Sequence, residues 1–216
     1  GTQGMIRFSN EYTSSETEVI NKKIIKIVSN HLQTEGEISN KEKPFEITSD
    51  KFNNIQRFAF MLQLANDSPN GFLIFEAVKN IEIGPDKTFT LPDNAKWMED
   101  SVKNIIINSE KGETLENVEY ISDKQYHEFL ILRQVQAQYK FSFGTLKGWC
   151  IVEYGFPHYF RSHVRNNTFE VSVPKVYFSK DSKSENARNA SRAILKEFQN
   201  MIQQKYDSAI GIQSTT

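Results

Sequence analysis

Aromatic residues at alternate positions constrain the fold of this chain more than any other feature. Tyr139, Phe141 and Phe143 alternate, as do Tyr154 and Phe156. The 40 residues from Tyr139 to Phe178 hold 11 of the chain's 26 aromatics. A period of two sends successive side chains to opposite faces, which is the geometry of a β-strand. The only cysteine, two of the four histidines and a local excess of Lys and Arg lie in the same stretch. A sheet built here is the natural place for a working surface.

The flanking segments read as helices and turns. Ser15 and Glu18 form an S-x-x-E capping box, and Ile20, Ile24, Ile27, Val28 and His31 follow on one helical stripe, with Gly36 as a stop. A strand is expected at Phe45–Thr48. A second helix is expected from about Asp50 to Leu64, with Phe52, Ile55, Phe58, Ala59 and Leu62 at helical spacing. The turn cluster Ser68–Gly71 leads into a strand over Phe72–Ile83, and Gly84–Lys87 turns it into Thr88–Leu91. Asp93 caps a short helix through Trp97. Val102–Asn108 and Leu115–Ile121 read as a hairpin. Ser122 and Gln125 open a helix carrying Tyr126, Phe129, Leu130 and Arg133 towards Gln138. Ser182 and Glu185 cap a long final helix lined by Ala187, Ala190, Ile194, Leu195, Phe198, Met201 and Ile202. The fold class is therefore α+β: a mostly antiparallel sheet with N-terminal helices and a long C-terminal helix packed on it.

Length and composition bound the rest. A chain of 216 residues is long enough to bury a core as one domain, taken here as residues 5–210. Residues 1–4 precede Met5 and read as an appended remnant, and residues 211–216 as a flexible tail. One cysteine excludes an internal disulfide framework and a Cys-cluster zinc site. No apolar run reaches the roughly 20 residues that span a bilayer, so the expected location is the cytoplasm. With a net charge of −1, any basic site must be local.

Two hairpins in the aromatic region can be registered from pattern. Asn166-Asn167 suits a two-residue turn. It pairs Arg165 with Thr168, His163 with Glu170 and Arg161 with Ser172, and gathers Phe160, Val164, Phe169, Val171 and Val173 on an apolar face. The preceding hairpin turns through Gly144–Gly148 and pairs Phe143 with Trp149, Phe141 with Ile151 and Tyr139 with Glu153. Glu153 then points inward beside Tyr139, a costly place for a carboxylate unless it is paired.

The ligand-binding candidates are Tyr159, Arg161, His163 and Arg165, with Glu170 and Glu153. Arginine offers planar donors to phosphate or carboxylate, and histidine titrates near neutral pH. An aromatic beside cations fits single-stranded nucleic acid, by base stacking and phosphate neutralisation. The competing interpretation is a solvated sheet face on which Glu170 pairs His163 across strands.

Other chemistry finds little purchase. His158 and His163 are five residues apart and fall on opposite faces of a strand, so no metal site is expected. Cys150 lies mid-strand among apolar residues, as an inert small hydrophobe does. Pro85-Asp86 and Pro92-Asp93 echo metal-dependent nucleases, without the acid-x-Lys on the following strand, and read as turn and cap residues. The sequence lacks G-x-x-x-x-G-K-[ST], G-x-G-x-x-G and G-x-S-x-G. No cofactor and no membrane partner is expected.

The leading functional expectation is a non-enzymatic interaction module. It would use a basic-aromatic sheet face to hold a protein or an anionic ligand, single-stranded nucleic acid included. One alternative is a phosphoester-cleaving enzyme using His163 with Glu170 or Glu153. Another is a structural subunit of a larger assembly.

Overall fold

The computed structural model describes residues 15–39, 46–66, 71–99, 102–109, 114–157, 167–179 and 187–211. The chain divides into two units, residues 1–46 and 47–216. In the first, helix α1 spans Ser15–Thr34. It closes as a Schellman motif: the Gly36 N–H donates to the Gln33 carbonyl and the Glu37 N–H to the Leu32 carbonyl. Gly36 takes φ +75, which suits a residue without a Cβ. Ile20, Ile24 and Ile27 share a face, as their spacing predicts, and that face is exposed.

The second unit holds an antiparallel sheet with helices on one side. Helix α2 (Asn54–Asn66) starts from a capping box, although the sequence reading placed the start at Asp50. The Gln56 N–H donates to Asn53 Oδ1 at 2.8 Å, and the Asn53 N–H donates back to Gln56 Oε1 at 3.0 Å. Residues Ser49–Lys51 form a separate 3-10 turn. The buried face of α2 carries Phe58, Phe60, Met61 and Leu64, while Ile55 is exposed. Thr48, in the expected first strand, makes only an isolated bridge to Thr168.

Strand β1 (Leu73–Pro85) matches the predicted apolar run. Thr88–Leu91 is not a strand. Asp86 accepts from the Thr88 N–H and hydroxyl there and closes the turn. Residues Asp93–Met98 form a 3-10 helix, near the predicted short helix. The predicted hairpin over 102–121 does not form. Its first arm is strand β2 (Ile105–Asn108), which pairs with β1, and its second arm is a 3-10 turn at Leu115–Asn117 followed by helix α3 (Glu119–Ser122).

The helix predicted from Ser122 to Gln138 is also overturned. Asp123 caps a single 3-10 turn, and strand β3 runs from Leu130 to Phe143. The helical spacing of Tyr126, Phe129, Leu130 and Arg133 was coincidental; from Arg133 onward burial alternates, as a strand requires. Strands β4 (Leu146–Gly155) and β5 (Glu170–Phe178) complete the order β2-β1-β3-β4-β5, with every neighbouring pair antiparallel. The final helix, α4 (Ala187–Gly211), buries Ala190, Ile194, Phe198, Met201, Tyr206 and Ala209. Its expected caps, Ser182 and Glu185, lie outside the described residues.

The β3–β4 turn is shorter than expected. Phe143 pairs with Leu146, which leaves Gly144-Thr145 as a two-residue loop. Gly144 takes φ +58 and, among the described residues, no non-glycine residue has positive φ, Thr145 included, the arrangement of a type II′ loop. Every later pair moves accordingly: Lys140 faces Trp149, Tyr139 faces Cys150 and Gln136 faces Glu153. The core face therefore carries Tyr139 and Phe141 with Cys150, Val152 and Tyr154. Trp149 and Glu153 belong to the other face, so Glu153 does not point into the core and Tyr139 is not its partner.

Two tyrosines of that core face join the sheet to α2. Tyr139 Oη donates to the carbonyls of Leu64 and Ala65 at 2.9 and 3.2 Å, and Tyr154 Oη to the carbonyl of Met61 at 3.0 Å. Leu64 and Ala65 are among the last four residues of α2, whose carbonyls have no partner within the helix. Burial drives both phenols well above the ordinary tyrosine range, so they remain protonated donors. Phe198 of α4 packs on both rings, with centroids at 6.0 Å from Tyr139 and 5.2 Å from Tyr154. Tyr139→Phe is expected to lower the unfolding free energy by about 1–3 kcal/mol, because buried acceptors lose their donor. The measurement is the urea midpoint at constant m value; an unmoved midpoint would refute the anchor.

Candidate functional site

The sheet has one covered face and one open face, and the open face holds the chemistry. Cross-strand pairing orders it into rows. One row runs Ile74, Lys140, Trp149, Tyr177. The next runs Ala77, Gln138, Ile151, Lys175. A third runs Asn108, Asn80, Gln136, Glu153, Ser172, and a fourth Ile106, Glu82, Gln134, Gly155, Glu170. Bulges in β1, and one opposite Val152 in β5, interrupt the rows without reversing the faces.

The first two rows form a basic-aromatic end. The rings of Trp149 and Tyr177 stack at 4.0 Å between centroids and 16° between planes, yet stay 36% and 47% exposed. Lys140, Lys147 and Lys175 are exposed around them. Lys140 pairs with Glu76, which also accepts from Gln138 Nε2 at 2.8 Å. Partial burial opposes ionisation of Glu76, but the hydrogen bonds from Lys140 and Gln138 outweigh it and hold the carboxyl below its usual range. Gly148 admits β5 closely: a Cβ there would stand 2.0 Å from the Tyr177 carbonyl oxygen.

The last two rows form an acidic-amide end. Gln136 Nε2 donates to Glu153, Asn80 Nδ2 to Asn108, and Asn104 Nδ2 to Glu82 at 2.9 Å. Arg133, itself buried, reaches Glu82 at 3.3 Å and the Lys103 carbonyl at 2.6 Å. A shallow cleft of ≈ 100 Å³ opens here between Gln134, Glu153, Pro157, Glu170 and Ser172.

Of the predicted site residues, Glu153 and Glu170 come together, both lining this cleft. The faces of β5 divide as predicted, with Val171 and Val173 packed against the core and Glu170 and Ser172 exposed. Tyr159, Arg161, His163 and Arg165 lie outside the described residues, as do the turn position Asn166 and His158. Sequence reasoning missed Trp149 and Tyr177 as surface residues. The signal was present in the alternation of Lys140 and Ser142 with Tyr139 and Phe141: the lysine-bearing side of β3 marks the open face.

Cys150 and His127 serve the core. Burial pushes the Cys150 thiol up to about 12. His127 stacks on Phe58 at 4.1 Å and 8°, with Nε2 donating to the Ile121 carbonyl at 2.9 Å. Burial holds its imidazole below the usual range. Among the described residues, no group of three or more His, Cys, Asp or Glu is arranged to hold a metal ion, and no helix is long and apolar enough to cross a membrane. Comparison with protein families, curated proteins and solved structures finds no match for this chain. Since only the thiolate reacts readily, native protein at about pH 8 should resist iodoacetamide and take up one equivalent only after denaturation. Labelling of native protein within minutes would contradict the buried position of Cys150.

Proposed function

We propose that this chain is a binding module whose ligand is a single-stranded nucleic acid, held on the basic-aromatic end of the open sheet face. One observation carries the reading: the exposed Trp149–Tyr177 stack, with Lys140, Lys147 and Lys175 around it. Flat rings accept any base, and base–aromatic stacking contributes about 1–3 kcal/mol per base. The three lysines supply cations for the phosphates between stacked bases. Glu153 and Glu170 belong to the other end, where their carboxylates repel phosphate.

The distance between the two ends makes this assignment workable. Residues two apart on a strand are separated by roughly 6.6 Å, so the first and fourth rows stand roughly 20 Å apart. Salt screens exposed charges beyond about 8 Å at physiological strength. A phosphate at the lysine end is thus screened from Glu153 and Glu170, and the carboxylate at that end, Glu76, is already paired with Lys140.

The test is anisotropy of a labelled oligothymidine titrated with the full chain at 50 and 200 mM salt. Binding should weaken with salt, with a log–log slope of about −0.7 per phosphate neutralised. Trp149→Ala should cost about 1–3 kcal/mol of binding free energy. Because Trp149 is at the surface, circular dichroism should be unchanged. Absence of binding at low salt, or a Trp149→Ala variant that binds equally well, would refute the proposal.

A further inference from the structure

The stacked pair on the open face leaves a slot on its β3 side. Tyr177 covers one face of the Trp149 ring, with 4.0 Å between centroids and 16° between planes. That separation is close to the spacing of neighbouring strands, so both rings stand across the row. The other face of Trp149 looks towards β3 and β1. The next residues of its row are Lys140 and then Ile74, which is exposed. Two strand spacings, roughly 9.6 Å, separate the backbone under Ile74 from that under Trp149. Carbon surfaces in contact lie about 3.5–4.0 Å apart, so one flat ring fits between these walls and two do not. Lys140 lies between them, but its ammonium is drawn to Glu76 of β1, which leaves its stem as the floor.

The rim of this slot is polarised. Glu76 follows Ile74 by two residues on β1, and Gln138 precedes Lys140 by two on β3, so both border the slot towards the second row. Glu76 Oε1 accepts from Lys140, and Glu76 Oε2 accepts from Gln138 Nε2 at 2.8 Å. Partial burial opposes ionisation, but these bonds outweigh it and keep the carboxyl ionised at neutral pH. An ionised carboxylate has about four acceptor sites. Among the described residues, Lys140 and Gln138 take one on each oxygen, which leaves a second on each, side by side.

Resting on single-stranded nucleic acid as the ligand of this face, we propose that the slot is a guanine subsite and that Glu76 reads the base. Single strands leave the Watson–Crick edges of their bases open to such contacts. Guanine carries two adjacent donors on that edge, N1–H and the N2 amine, and they match the two remaining sites of one carboxylate. Adenine and cytosine present a ring-nitrogen acceptor beside their amine, which a carboxylate repels. Thymine and uracil present one donor between two carbonyls. Guanine O6 is an acceptor next to N1–H, which suits the ammonium of Lys140 beside Glu76. Stacking on Trp149 alone accepts every base, so the choice falls to the carboxylate at the rim. Lys147 and Lys175 stay on the flanks for the phosphates.

The experiment is anisotropy with the full chain and short labelled oligothymidines whose central base is thymine, guanine, adenine or hypoxanthine. A single guanine per strand avoids quadruplexes. The guanine strand should bind about tenfold more tightly than plain oligothymidine, the discrimination expected of a bidentate base contact. Adenine should give no gain. Hypoxanthine keeps N1–H but lacks the N2 amine, and should lose most of the gain. Glu76→Gln replaces one acceptor by a donor, and should bring the guanine-to-thymine affinity ratio to within about twofold of unity. The ratio is the readout because freeing Lys140 from Glu76 strengthens binding of every strand alike. Circular dichroism checks the fold of the variant, and the hypoxanthine comparison needs no variant. Equal affinity for the guanine and thymine strands overturns the guanine subsite and leaves the nucleic-acid assignment standing. So does a ratio that Glu76→Gln leaves unchanged, or hypoxanthine that binds as well as guanine. Binding of no strand at low salt overturns both.

Discussion

Two hydroxyl groups fix the second unit of this protein. Tyr139 on β3 and Tyr154 on β4 rise from the core face and hydrogen-bond carbonyls in the last turns of α2. Without Tyr139, the helix-end carbonyls of Leu64 and Ala65 would be buried unpaired, at a cost comparable to a lost hydrogen bond for each. The other end of α2 is held by a polar cluster. Asn54 Nδ2 donates to Asp86 Oδ2 at 2.7 Å and to the Glu128 carbonyl at 2.8 Å, while Arg57 donates to Asn54 Oδ1 and to the Ser49 carbonyl, both at 2.9 Å. Apolar packing alone lets a helix slide on a sheet, because it is non-directional. Hydrogen bonds at both ends set where α2 lies and therefore which sheet face is covered.

That choice determines what the open face can be. A strand side chain covered by α2 or α4 must be apolar or satisfied, and its neighbours in sequence point the other way. Gln134, Gln136, Gln138 and Lys140 on β3 are the alternate set to Val135, Ala137, Tyr139 and Phe141. The open face pairs its amides and carboxylates with one another across strands, as Gln136 with Glu153 and Gln138 with Glu76. The Trp149–Tyr177 stack is the aromatic exception, ring surface left facing solvent, with Ile74 exposed in the same row.

Periodicity made the longest elements legible. The apolar run of β1, the aromatic alternation of β3 and β4, and the Ile194, Phe198, Met201 line of α4 each repeat one spacing long enough to be unambiguous. What failed was local. Tyr126, Phe129, Leu130 and Arg133 fit a helical stripe, yet Leu130, Ile131 and Leu132 are consecutive buried strand residues, and a short continuous apolar run does not identify its own period. The β3–β4 register failed at one turn. Reading the loop to Gly148 rather than closing it at Gly144-Thr145 moved Trp149 and Glu153 to the wrong face. A three-residue slip, being odd, inverts every side chain on the strand just as a one-residue slip does, so Trp149 and Glu153 were misplaced where the strands themselves were correct.

The same inversion explains why the site reads differently once register is known. With Glu153 inward, it looks like a buried acid awaiting a catalytic role. On the open face it is a half-exposed carboxylate held by an amide of the adjacent strand. Aromatic character and positive charge then separate from the acids along the strand direction rather than across the sheet. Lysines and stacked rings occupy one end, with Glu76 held there by Lys140 and Gln138, and Glu153 and Glu170 with Gln134 and Gln136 the other. A ligand laid along β4 would therefore meet opposite electrostatics at its two ends. Such a face would fix the orientation as well as the location of the proposed ligand, because an anionic segment would be favoured at the Trp149 end and disfavoured beside Glu153 and Glu170.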